Sequence, residues 1–565
     1  MSQEEPIKII IVGGAAGGMS SALRARRLSE KASIILIEKH NYTSYANSGM
    51  PSSVGGVIET DTFLIHQSPA GLKDRFDLDV RDCTEITSIW KEQHKILVRR
   101  VDTNDSYILP YDKLILAQGA SFAIPQIQGI ESENVFSLQM MLDLQRIKDY
   151  TAKNHCRSAA ILGGGYFALK AVESLSYFGL RLSIIHTEGR MCQDFDPDFA
   201  NIVQTELIRH EVQVHLNANI LNIGAGVLED GCIVTLANES NISADIVIIA
   251  TSLTPRKDIA ESSGLLCNNG VIVNEFMQTS DPDIYAVGAL AETSNYLLAA
   301  LQIQHTLPLN SPARQQGRLA SDHIMKRAVP YRGRIVTYSC KCFKLTVAIT
   351  GFSGEKLREI GYFPNAVTAQ IPEHAGYYPA SQQTTLRVAF QPASGRLLGA
   401  QIIGRSAIDK SIDVLSTALQ FGRSVFDLEN LELSYAPQYG SAKDPVNVIG
   451  MIGSDLLHGD LHIISPKELE SHFEEVQILD VRSAEDFAKG HIPSARNYPL
   501  DMLRKSLADI DKRCAIVVYS RVGYHGYLAY RTLVQSGYQA ANLDGGLKLL
   551  VEGGSGIKLV SSGSD

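Results

Sequence analysis

A strand, a glycine-rich turn, a helix and a second strand follow one another twice in this chain. Ile9 to Val12 is a continuous apolar run, as a strand buried on both faces of a parallel sheet requires, and it leads into Gly13-Gly14-Ala15-Ala16-Gly17-Gly18. Met19 to Glu30 is rich in Ala, Arg and Leu and is predicted helical. Ser33 to Ile37 is the next strand, and Glu38 ends it. About 150 residues later the order returns: Ala159 to Leu162, Gly163-Gly164-Gly165, Tyr166 to Tyr177, Leu182 to Ile185. An internal repeat of this kind implies two α/β layers, each built on a parallel sheet.

The turns carry the chemistry. Glycines between strand and helix let backbone N–H groups approach a pyrophosphate at a helix N-terminus. Glu38 stands 20 residues past Gly18, where an acid accepts hydrogen bonds from a ribose 2′-hydroxyl. Ala15 occupies the middle position, where glycine is commonest. The alternative is a tight strand–helix turn with no ligand. Leu114 to Ala120 is a strand ending in a small-residue turn at Gly119, and Thr279 to Gly288 leads to a second candidate contact. Ile246 to Ala250 and Asp283 to Gly288 read as strands returning to the first layer. A mixed α/β region spans 333–453 and includes an alternating strand at Thr385 to Phe390. A polar link over 453–460 opens a last segment of about 105 residues, with strands at Val476 to Val481 and Ala515 to Tyr519.

Composition narrows the partners. The 565 residues carry 52 Lys+Arg against 61 Asp+Glu, a net charge of −9, which speaks against nucleic acid and anionic membranes. No run of 18 apolar residues argues for a membrane span. Met1 to Pro6 is acidic and leads straight into an apolar strand, the wrong order for a signal peptide. The 8 cysteines are scattered apart from Cys340 and Cys342, which fits a reducing cytoplasm. Those two share one face of a strand and read as structural, and no Cys/His cluster suggests a metal.

Three further motifs complete a pattern. Leu479-Asp480-Val481-Arg482, Gly490-His491-Ile492-Pro493-Ser494-Ala495 and Asp544-Gly545-Gly546 lie in the last segment, and Leu433 to Asp444 contains Tyr435 and Tyr439. Together with the two glycine turns, the chain resembles the flavoprotein disulfide reductases. More narrowly it resembles the coenzyme A-disulfide and NAD(P)H-dependent persulfide reductases that carry a C-terminal rhodanese domain. The resemblance covers essentially the whole chain. It implies two Rossmann-like dinucleotide-binding domains (FAD at 1–155 and 245–330, NAD(P) at 156–244), an α+β dimerisation domain at 331–452 and a rhodanese α/β domain at 461–565. It implies FAD at Gly13, Ala15, Gly18, Glu38, Gly119, Gly288 and Ala289. It implies NADPH or NADH at Gly163, Gly165, Ala168 and His186, and coenzyme A at Arg27, Ser44, Asn47 and Tyr378. The implied assembly is a homodimer in which Tyr435 and Tyr439 reach the partner subunit's redox cysteine, acting on a small disulfide or persulfide.

The sulfur positions depart from that pattern. The family's redox cysteine stands in a Ser-Phe-Ala-Asn-Cys-Gly-Leu-Pro type segment; here Ser44-Tyr45-Ala46-Asn47-Ser48-Gly49-Met50-Pro51 places Ser48 there. A thiol with pKa near 8.5 becomes a useful thiolate after a modest shift, whereas a serine hydroxyl has no disulfide couple. The rhodanese loop reads Ser520-Arg521-Val522-Gly523-Tyr524-His525-Gly526, with serine for the sulfur carrier and His525 for an arginine. Successive loop amides still form a nest for an anion, with Arg521 nearby. Cys514, upstream, reads as a buried small hydrophobe. Ala289 replaces an aspartate that holds the flavin's ribityl chain. His186, followed by Arg190, replaces an acid, which means either preference for the 2′-phosphate of NADPH or a lost nicotinamide site. Lys170 and Ser252 replace a glutamate and a glycine near the nicotinamide. Three functions follow: a reductase by family with its thiol chemistry lost, a degenerate nucleotide-binding protein, or a flavin reductase or oxidase that needs no cysteine.

Overall fold

The computed structural model describes residues 6–226, 231–297 and 309–561. They form two compact units: 1–163, 170–185 and 218–334, then 164–169, 186–217 and 335–565.

In the first unit the leading apolar run forms the central strand of a parallel sheet. Strand order is Ile284–Ala286, Lys113–Leu116, Lys8–Val12, Ser33–Ile37, Asp79–Arg81. Ile9, Ile10 and Ile11 are wholly buried because both sheet faces are covered. The helix after the glycine turn is Ala16–Leu28. It crosses the helix Asn310–Ile324 at glycine: a Cβ on Gly317 would lie 2.2 Å from the Gly17 carbonyl oxygen. Ser321 Oγ donates to the Ser21 carbonyl at 2.8 Å, and Arg24 pairs with Asp322 at 2.5 Å.

The second glycine turn follows Ser158–Leu162, which pairs in parallel with Arg181–Ile185 on one side and Ile246–Ile249 on the other. Ile246–Ile249 therefore belongs to the second sheet and not, as the sequence suggested, to the first. The strand Ile284–Ala286 does join the first sheet, in register with Lys113–Leu116.

The second unit contains a five-stranded antiparallel sheet in the order Thr337–Cys342, Leu345–Gly351, Leu397–Gly404, Gln383–Phe390, Asn365–Pro372. All eight residues of the central strand Leu397–Gly404 are buried. The expected polar link at 453–460 is largely helix: Pro445–His458 runs through it and ends at Gly459 in the left-handed region. Gly453 packs against Val425, whose Cγ1 would lie 2.8 Å from an added Cβ. Its glycine marks a close helix contact, not a linker. The C-terminal sheet is parallel, in the order Ile463–Ile464, Ala540–Leu543, Ile516–Tyr519, Gln477–Asp480, Arg496–Asn497. The fold is thus mixed α/β, with two dinucleotide-type sheets, an antiparallel domain and a C-terminal parallel domain. Among the described residues no helix is long and apolar enough to cross a membrane.

Candidate nucleotide sites and the two serine positions

The first turn is sterically committed. Gly13 has φ +108°, and a Cβ on Gly18 would lie 1.9 Å from the Gly13 carbonyl oxygen. Ala15 is the N-cap of Ala16–Leu28 and makes no side-chain cap, so the helix leaves N–H groups open at its start. The Glu38 carboxylate accepts from the Gly14 N–H at 2.8 Å and from the His40 N–H at 3.1 Å. Two backbone donors thus fix the acid at the rim of the turn. Thr43, whose Cγ2 lies 3.3 Å from the Cβ position of Gly14, has a buried Oγ1 with no partner, as does Gln118 Oε1 beside Gly13. An uncapped helix start, an oriented acid and two orphaned polar atoms fit the pyrophosphate and ribose of FAD. Thr43 gave no sequence signal, while Gln118 lies in the strand-and-turn already singled out.

The second expected flavin contact offers less. Gly288 has φ +76°, and its N–H donates to Gln316 Oε1 at 2.7 Å. Ala289 follows in a short 3-10 turn with no polar side chain to offer. Loss of one charged hydrogen bond costs on the order of 1.5–3 kcal/mol. Gly119, at φ +71°, accepts from the Arg256 N–H at 3.0 Å.

Ser48 sits exposed in the 3-10 turn Asn47–Gly49, just before the helix Met50–Val54. Among the described residues no imidazole or carboxylate bonds its hydroxyl to act as a general base. Ser44, at φ +53°, donates its N–H to the Gly14 carbonyl at 3.1 Å, and Asn47 Oδ1 accepts from Asn310 Nδ2 at 2.7 Å. Ser44 therefore lies beside the first turn, and Asn47 beside the start of Asn310–Ile324. Arg27 is exposed on the first helix. Its neighbour Arg26 is the buried one, donating to the carbonyls of Phe76 and Asp77 at 2.8 Å each. Burial, then the charges of Glu38 and Asp143, push the Tyr45 phenol up to about 12, so it stays neutral. Ser53, on the helix Met50–Val54, is bonded to Asp61 and to Lys148 Nζ at 3.0 Å. Lys148 is paired with Asp61 at 2.5 Å.

At the second turn Gly163 has φ +134°. An added Cβ on Gly164 would lie 2.3 Å from His186 Cδ2, so the imidazole packs directly on the turn. Burial holds that imidazole below its ordinary pKa, hence neutral at pH 7, and its Nε2 is buried without a partner. Arg190 is engaged by the Gln193 carbonyl at 3.3 Å and by Glu355 at 4.0 Å. Gly165 is exposed, Ala168 is fully buried, Lys170 is half-buried on the helix, and Ser252 is exposed.

The loop after Ile516–Tyr519 begins at Ser520, 2% exposed, whose Oγ accepts from the Gly523 N–H at 3.1 Å. Gly523, at φ +94°, caps the helix Tyr524–Gln535. The serine hydroxyl thus satisfies one amide of the loop. Arg521 and His525 are exposed at its rim. Cys514 is exposed, contrary to the sequence reading of a buried thiol, because it lies before the strand and not inside it. Cys340 and Cys342 are buried on one face of their strand. Tyr377 and Tyr435 bond through their hydroxyls at 3.0 Å on the surface of the second unit. Tyr378 stands edge-on to His374, and Tyr439 is 72% exposed. Among the described residues no group of three or more His, Cys, Asp and Glu could hold a metal ion.

Comparison with known proteins gives this geometry its relatives. A pyridine nucleotide-disulphide oxidoreductase profile matches residues 7–317, the dimerisation domain of that family matches 337–444, and a rhodanese-like domain matches 465–552. The chain is 30% identical to coenzyme A disulfide reductase of Staphylococcus haemolyticus over 452 residues, 80% of this chain and 100% of the relative. The reduced CoADR-RHD of Bacillus anthracis is similar at 35% identity and a TM-score of 0.94, with 98% of this chain and 99% of that one covered. A NAD-dependent persulfide reductase from A. fulgidus is similar at 30% identity and a TM-score of 0.89, with 96% and 100% covered.

Proposed function

The chain belongs to the pyridine nucleotide-disulphide oxidoreductase family of FAD- and NAD(P)H-dependent enzymes, and from that premise we propose that it is a flavin-binding oxidoreductase whose electron pair does not pass through a thiol. The observation that carries this reading is the contrast between the first turn and Ser48. The turn is complete: Gly13 and Gly18 make the bend, and Glu38 is held ready by two backbone donors. Ser48, in the redox position, is an exposed hydroxyl that no imidazole or carboxylate bonds among the described residues.

FAD, when bound, supplies the hydride-accepting chemistry that these side chains lack. Gly13 to Gly18 would hold its pyrophosphate, and Glu38 would accept from its ribose. Tyr45 stays protonated and offers a hydrogen-bond donor. Arg190 supports a 2′-phosphorylated nucleotide, since the acid that would repel one is absent. Arg27, Ser44 and Asn47 support recognition of a coenzyme A-type disulfide or persulfide as a ligand. Reduction of such a ligand needs a sulfur nucleophile that Ser48 does not provide. The acceptor is then a group that takes electrons directly, such as a quinone or oxygen. The Ser520 loop retains its nest of amides and binds an oxyanion without carrying sulfane sulfur. The dimerisation domain and the exposed Tyr377, Tyr378, Tyr435 and Tyr439 support a homodimer. Eight free cysteines fit a cytoplasmic location.

An anaerobic absorbance spectrum tests this directly. A yellow protein that bleaches with NADPH or NADH, yet releases no thiol from coenzyme A disulfide, is the expected result. Release of thiol in step with bleaching refutes the loss of sulfur chemistry. A protein that takes up no FAD favours a second reading, a degenerate nucleotide-binding protein, for which the His186 ring against Gly164 is the specific support.

A further inference from the structure

The second unit contains a buried ionic cluster that none of these steps uses. Arg387, on the strand Gln383–Phe390, is 8% exposed. Its guanidinium donates to Asp198 at 2.8 and 2.6 Å and to Asp196 at 3.1 Å, and its Nε donates to Thr368 Oγ1 at 2.8 Å. Asp544 lies 3.7 Å away. Thr368, on the edge strand Asn365–Pro372, donates its N–H and its hydroxyl to the two oxygens of Asp544 at 2.8 and 2.6 Å. Three carboxylates against one cation is a poor source of stability, because desolvation offsets the attraction. Burial pushes the Asp544 carboxyl up to about 6, which records that cost. The better-attested use of such a cluster is to fix position.

What it positions is the Ser520 loop. Asp544 opens the turn Asp544-Gly545-Gly546, and both glycines have positive φ. Gly546 lies so close to the loop that a Cβ there would sit 2.6 Å from the Gly523 nitrogen and 2.7 Å from the Ser520 carbonyl oxygen. Leu547 donates its N–H to the Ser520 carbonyl at 2.9 Å, and Lys548 donates to that of Arg521 at 3.0 Å.

The structure assigns Arg387 and Thr368 a positioning role: from the antiparallel sheet they hold the Asp544–Gly546 turn and through it set the shape of the Ser520–Gly526 nest for an oxyanion. The oxyanion as ligand rests on the function proposed above; the positioning does not. The turn cannot relax alone, because its carboxylate is tied to Thr368 and its backbone to Ser520 and Arg521.

Hydrogen exchange on the full-length protein, with and without inorganic phosphate, tests it. Thr368→Val removes the hydroxyl that links Arg387 to Asp544. Exchange in a peptide covering 521–527 is expected to rise about tenfold, while peptides from Ser158–Leu162 and Ile516–Tyr519 stay unchanged. Thr368→Ser restores the wild-type rate. If Thr368→Val does not fold, Arg387→Lys, which keeps the charge but cannot span these acceptors, is expected to give the same local effect. Loop exchange within twofold of wild type overturns the assignment. So does a rise spread evenly over the C-terminal domain, or one that serine does not reverse. Failure of phosphate to protect the wild-type loop overturns the ligand, with the exchange comparison still deciding the positioning.

Discussion

Replacing Glu38 by Gln tests the first dinucleotide site at its most oriented point. The carboxylate accepts from Gly14 and His40 through different oxygens. Glutamine keeps one acceptor and turns the other into an NH2 group facing an N–H. One charge-assisted hydrogen bond is lost, on the order of 1.5–3 kcal/mol, and the group that would receive the ribose hydroxyl loses its charge. FAD affinity is expected to fall about 10- to 150-fold. The assay is titration of flavin-free protein with FAD, read by quenching of flavin fluorescence. Ser48→Ala, which touches no bond of the turn, serves as the control and is expected to leave affinity unchanged. Glu38→Gln that binds FAD within twofold of wild type refutes the assignment of Glu38 to the ribose.

Other outcomes follow from the same geometry. Ser48→Cys is expected to restore thiol release from coenzyme A disulfide, rising with pH towards the ordinary thiol pKa near 8.5, read with a thiol reagent. Asp544 has a raised carboxyl pKa in the fold, so its contribution to stability is fully present below the unfolded value near 4 and is lost as pH rises through about 6. Asp544→Asn should flatten the dependence of melting temperature on pH between 4 and 7. Gly546→Ala places a Cβ 2.6 Å from the Gly523 nitrogen at φ +64°. It is expected to destabilise the C-terminal domain by about 2 kcal/mol or more, seen in urea unfolding.

The two strand–turn–helix units were legible in the sequence because their signals are local. An apolar run, a glycine cluster and the helix after it need no knowledge of distant residues. Ile246–Ile249 was read into the wrong sheet for the opposite reason. A strand buried on both faces carries no mark of which neighbour it pairs with, and its partner, Ser158–Leu162, is settled by tertiary packing. Gly453 suggested a linker because glycine for flexibility and glycine for close helix contact look alike in one dimension. Cys514 was taken as buried from its place before an apolar strand, but the strand begins at Ile516. The candidate site residues come from motifs that resemble known ones. Arg387 was missed because its partners, at 196, 198, 368 and 544, converge only in the fold. His186 was noticed as a substitution, yet nothing in the sequence places its ring on Gly164.

The crossing of Ala16–Leu28 with Asn310–Ile324 bears on how a cofactor arrives. Gly17 and Gly317 bring the two backbones together, and Ser21, Ser321, Arg24 and Asp322 lock the crossing with side chains of the protein alone. The start of Ala16–Leu28, the expected pyrophosphate contact, is therefore held by the protein's own contacts. Little conformational entropy remains to be lost on binding, so loading becomes an encounter with a preformed surface. A chain stripped of FAD is expected to keep the turn and rebind the cofactor without refolding.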